Sequence, residues 1–106
     1  MLVLIARTAP QQDTAARDLA DMALTLAAFG QPLTVLFCGP GVLQLRGHDN
    51  DDHPLSSLVD FGIHCAAEQH ALTTWLSDTP CPAHVSPLDP DAVRTLLHGA
   101  SQVWGW

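Results

Sequence analysis

The sequence predicts an α/β fold: one domain, three layers, and a mostly parallel five-stranded sheet sandwiched between helices. Three observations carry this prediction. Short apolar runs alternate five times with segments of helical periodicity, as in successive strand–crossover–strand units. The first two runs, residues 2–6 and 33–37, are apolar almost throughout, as strands covered on both faces are. The second run leads through Cys38-Gly39-Pro40-Gly41 into Val42-Leu43-Gln44-Leu45. That is a strand–turn–helix junction, where open α/β sheets bind ligands or partners.

Residues 2–6 make strand one and residues 8–12 a loop. Asp13 or Thr14 caps the next helix by accepting bonds from its free N–H groups. Leu19, Met22, Ala23, Leu26, Ala27 and Phe29 recur at helical spacing as one apolar stripe, and Gly30 ends the helix in the left-handed conformation. Strand two is 33–37, just after Pro32, and 41–45 is a short helical turn. Residues 46–54 form an acidic loop with no apolar residue. Residues 55–60 make a brief helix, started by Ser56 or Ser57 and ended by Phe61-Gly62. Strand three is 63–67, followed by a helix at 70–76 with Leu72, Trp75 and Leu76 facing inward. Thr79-Pro80-Cys81-Pro82 breaks the chain before a short strand at 83–85. Asp89-Pro90-Asp91 opens the last helix, with proline in the first turn and carboxylates at the positive end of the dipole. Val93, Leu96 and Leu97 face inward, Gly99 ends the helix, and 103–106 is strand five. The expected strand order is flavodoxin-like, 2-1-3-4-5.

A chain of 106 residues is one domain, residues 1–106, able to bury about 65% of its unfolded surface. A hydrophobic content of 47% marks a globular protein. Four arginines, no lysine and 11 carboxylates give a net charge of −7. Such a surface repels phosphate, so direct nucleic-acid binding is not expected and a basic partner is favoured. No apolar stretch approaches the ~18 residues that span a bilayer, and no membrane partner is expected. The chain shows no signal-peptide pattern, and its three cysteines contain no Cys-x-x-Cys pair. A cytoplasmic protein with reduced thiols is expected.

Cys65 lies inside a strand, where a free cysteine packs as a small apolar residue. Cys38 ends strand two beside a helix start whose N–H groups can favour a thiolate, but core packing is the preferred reading there. Cys81, between two prolines, is an ordinary thiol. His48 and His53, five apart with carboxylates between them, could ligate zinc or nickel, but the segment lacks the glycine and terminal Glu of a calcium loop. It reads first as a solvated acidic loop. His64, His70, His84 and His98 are scattered, with His98 in a last helical turn that favours a cation. No cofactor is expected: Gly39-Pro40-Gly41 is neither a Walker nor a dinucleotide motif, and Pro40 removes an N–H donor. Trp75 reads as a core residue. Trp104 and Trp106 alternate on one side of a strand, where they cap the core or anchor an interface.

The segment from Val35 to Leu45, with its Gly-Val-Leu-Gln-Leu helix start, resembles the second strand and helix of the TusC/DsrF branch of the DsrE/DsrF sulfur-relay family. Leu2-Val3-Leu4-Ile5-Ala6-Arg7-Thr8-Ala9-Pro10 is similar to the family's opening strand, and Ser101-Gln102-Val103-Trp104-Gly105-Trp106 to its last. The resemblance implies a DsrE-like variant of the flavodoxin-like sandwich. In sulfur-transferring members a cysteine at the third strand–helix junction carries a persulfide. Here that position falls on Glu68 or Gln69, neither of which can. The resemblance therefore implies a non-catalytic subunit of a cytosolic sulfur-relay complex, with sister subunits or copies of itself as partners and a downstream sulfur acceptor, serving tRNA 2-thiolation or sulfur oxidation. Two other readings stay open: a stand-alone sulfurtransferase using Cys38 or Cys65, and a metal-binding homo-oligomer using the His48–His53 loop.

If that loop is only solvated, replacing both His48 and His53 by alanine should change stability by less than about 0.5 kcal/mol, as most surface substitutions do. Stoichiometric zinc or nickel binding by calorimetry, lost in the double variant, would instead establish the metal reading.

Overall fold

The two most apolar runs of the sequence lie side by side in the middle of the sheet. In the computed structural model, which describes residues 1–7, 15–30, 32–45, 58–77 and 85–105, β1 (Leu2–Ala6) pairs in parallel with β2 (Leu33–Phe37). Leu2 stands opposite Leu33 and Ala6 opposite Phe37. β3 (His64–Glu68) follows on the far side of β2, β4 (Val85–Leu88) lies beyond β3, and β5 (Gln102–Gly105) pairs with β1. All four pairings are parallel. Every residue of β2, the central strand, is buried. That burial explains its lack of alternation.

The strand order is 4-3-2-1-5, not the 2-1-3-4-5 expected from the pattern of elements. Steps from β1 to β2, β3 and β4 each move one strand in the same direction. Right-handed crossovers then place their connections on one face, and only the return from β4 to β5 crosses the other. The helices obey this division. α1 (Ala15–Ala28), the 3-10 segment Gly39–Leu45 and α2 (Gln69–Trp75) share one core with Leu4, Val35, Phe37, Cys65 and Val85. Among the described helices, only α3 (Pro90–Gly99) packs on the opposite face, over Val3, Leu36 and Ala66. One helix suffices there because the buried apolar strip on that face is so narrow.

Local chemistry sets most boundaries. Gly30 closes α1 with φ of 80°, and its N–H bonds the carbonyl of Ala27 at 2.9 Å, as a left-handed C-terminal glycine does. Asp89 caps α3 by accepting the N–H of Ala92 at 2.8 Å, with Pro90 just inside. A 3-10 turn, Val59–Phe61, precedes β3.

Several expectations need correcting. Phe29 is 81% exposed and lies past the last residue of α1, where helical periodicity no longer governs direction. Trp75 is 44% exposed, while Ala71 and Leu76 are buried: Trp75 is the last residue of a helix of only 7 residues, and the chain turns Leu76 inward in its place. The fourth strand runs Val85–Leu88 rather than 83–85 and contains Pro87, which an edge strand tolerates because one missing N–H leaves no partner unsatisfied. β3 and β5 are each displaced by one residue from their expected bounds. The expected loop 8–12, the caps Asp13 and Thr14, the acidic loop 46–54, residues 55–57, Cys81, His84 and Trp106 lie outside the described residues.

The turn after β2 sits hard against the end of β1. A side-chain carbon at Gly41 would overlap the carbonyl group of Ala6. Gly41→Ala should therefore destabilise the fold by about 2 kcal/mol or more, since small-to-large changes in packed backbone cost on that order, measured by urea denaturation.

Candidate functional site

In a parallel sheet all strands end at the same edge, and side chains just beyond those ends gather there. Ala6, Phe37 and Ala67 are in register across β1, β2 and β3. The residues that follow them, Arg7, Cys38 and Glu68, therefore form a row: a guanidinium, a thiol and a carboxylate.

Backbone bonds hold the middle of this row. The N–H of Cys38 donates to the carbonyl of Ala6 at 2.9 Å, and the N–H of Gly41 donates to the carbonyl of Cys38 at 2.9 Å. Glu68 occupies the cap position of α2 but makes no side-chain cap there. Its Oε1 reaches across to accept the N–H of Gly39 at 2.9 Å. The amides at the start of the 3-10 segment are thus committed to backbone and carboxylate acceptors, so they do not stabilise a Cys38 thiolate as the sequence allowed. On the other side, Arg7 lies over β5. A side-chain carbon at Gly105 would come within 3.0 Å of its Nη2.

The electrostatics follow from this placement. Cys38 is half-buried, packed beside Leu36 and α3. Its pKa is pushed up to about 12, first by desolvation, then by the negative charge of Glu68 and a hydrogen bond to that carboxylate, with Arg7 opposing. Cys65 is buried between Val35 and Val85 in register. Its pKa rises to about 11 through burial alone. Both thiols are protonated at neutral pH, which removes the nucleophilic form.

Of the sequence-derived candidates, only Cys38 lies in this row. Cys65 points into the core, and His48 and His53 fall outside the described residues. His64, His70 and His98 are exposed on separate elements. Among the described residues no three His, Cys, Asp or Glu side chains are grouped to hold a metal, and no helix is long and apolar enough to cross a membrane. A crevice of about 20 Å³ lined by Glu68, His70, Leu88, Pro90 and Val93 adjoins the row; it has room for about one water. Sequence reasoning missed Arg7 and the role of Glu68. The available signal was that each is the first polar residue after an apolar run, at the carboxyl end of a strand.

The sequence matches no protein-family model and no curated protein. Among solved structures, the ychN protein from E. coli superposes with a TM-score of 0.76 at 16% identity, over 99% of this chain and 97% of that one. At that identity the likeness establishes the fold, a single α/β domain of the DsrE-like type.

Both thiols make stability depend on alkaline pH. Above about pH 9, the ordinary value for these thiols, the unfolded chain releases their protons while the folded chain retains them. The native state then binds more protons, so stability falls as pH rises. Equilibrium unfolding from pH 8 to 10.5 should show this decline, with a shallower slope in a Cys38→Ser/Cys65→Ala variant.

Proposed function

We propose that the chain is a non-catalytic subunit of a cytosolic sulfur-relay complex, of the TusC/DsrF type, that assembles with sister subunits or with copies of itself. The DsrE-like fold supports this reading, as does the order of motifs along the chain. The observation that carries it is the junction of β3 and α2. There the side chain is Glu68, bonded to the Gly39 amide, where a sulfur-transferring relative would present a cysteine. The nearest thiol, Cys38, is held protonated. In this reading the subunit shapes a surface on which a downstream sulfur acceptor docks, in tRNA 2-thiolation or sulfur oxidation. The exposed Val103 and Trp104 on the edge strand β5 suit assembly, because an uncovered sheet edge seeks a partner.

Incubation with a small-molecule persulfide donor at pH 7.5 tests the non-catalytic role. Neither Cys38 nor Cys65 should gain the roughly 32 Da of one sulfur atom, since protonated thiols do not attack. A stable gain on Cys38 or Cys65 would make the chain a sulfurtransferase. Size-exclusion chromatography with light scattering tests assembly, and an 11.3 kDa species unchanged by added sister subunits would overturn it.

A further inference from the structure

We propose that β5 is a self-docking strand: its free edge pairs antiparallel with β5 of a second copy of this chain, joining two five-stranded sheets into one. The sheet ends in β4 on one side and β5 on the other, and the two edges differ. β4 carries Pro87, which removes an N–H donor and blunts an edge. Residues 101–105, which contain β5, hold no proline and no charge. Among the described strands β5 pairs with β1 alone. Its outward N–H and C=O groups are an unguarded ladder, open to another strand.

Both cores run out at this strand. Leu4, of the larger core, stands opposite Trp104, and Val3, of the smaller one, stands opposite Val103. Side chains paired in register share a face and successive ones alternate. Trp104 therefore continues the layer on the α1 side, and Val103 the layer on the α3 side. Trp104 is 43% exposed and Val103 46%, and β5 adds no buried residue to either core. A lone extended peptide would satisfy the edge and leave these two side chains bare. A second copy, related by a two-fold axis normal to the sheet, meets each layer with its own counterpart and covers both at once. Charge favours the same occupant. The chain carries −7, yet this strand is neutral, so it neither repels a copy nor attracts a basic partner. Arg7 lies over Gly105, at one end of the strand, and antiparallel pairing sets the guanidiniums of the two copies at opposite ends. The inference rests on the assembly half of the proposed function and names its contact.

Light scattering on the chain alone, at micromolar concentration, should give a dimer or a larger even-numbered assembly of the 11.3 kDa chain, because two-fold pairing joins copies in twos. Trp104→Lys sets on the edge the charge with which natural sheets block pairing, and should raise the dissociation constant at least tenfold by sedimentation. Phe29→Lys, at a site 81% exposed beyond the end of α1, should leave it unchanged. A chain that is monomeric alone and joins only added sister subunits overturns the inference and leaves the subunit reading standing. So does an assembly that Trp104→Lys does not weaken, or that Phe29→Lys weakens equally. Should Trp104→Lys not fold, hydrogen exchange of the unmodified protein decides. The amides of β5 should exchange at least tenfold more slowly than those of Val85, Ser86 and Leu88 on the other edge, and equal or faster exchange overturns it.

Discussion

The carbonyl of Ala6 is the point on which the functional edge of this protein turns. It ends β1 and accepts the N–H of Cys38 at 2.9 Å, extending the β1–β2 ladder one residue beyond the paired strands. The chain then turns so tightly that Gly41 meets the same carbonyl with no room for a side chain. Two neighbouring strands are thereby locked end to end. The row of Arg7, Cys38 and Glu68 exists because those ends cannot slide or splay. A parallel sheet collects its strand termini along one edge, and this contact decides how closely they approach.

What the edge can do chemically follows from its charges and its dryness. Among the described residues the opposite face of the sheet is covered by α3, through Val93, Leu96 and Leu97, which gives the edge an apolar backing. A thiol in such a place needs a cation or several amide donors to ionise. The amides of Gly39 and Gly41 are spent on Glu68 and on the Cys38 carbonyl, and Arg7 is outweighed by burial and by Glu68. A helix cap position that would suit a nucleophile is instead occupied by a carboxylate turned toward its neighbour.

Elements with strong local signals were legible from the sequence. β1 and β2 match their apolar runs because strands buried on both faces need nothing else to identify them. Gly30 and Asp89-Pro90 mark helix ends through backbone conformation and hydrogen-bond supply, both properties of a few adjacent residues. Phe29 and Trp75 were misplaced because each sits at the margin of an element, where periodicity ceases to report direction. β4 was misplaced because Pro87 reads as a breaker unless the strand is known to be at an edge.

The sequence by itself determined the class of fold, the direction of the strands and the burial of Cys65, since apolar run length, turn residues and helical spacing are local and the handedness of crossovers does the rest. Only the tertiary structure decided the strand order 4-3-2-1-5, because nothing local records which way each crossover steps. It also decided the meeting of Arg7, Cys38 and Glu68. They are separated by about thirty residues at each step, and strand register brings them into one row. The character of Cys38 belongs to that meeting as well as to its burial: desolvation raises its pKa first, the charge of Glu68 adds to it, and Arg7 opposes.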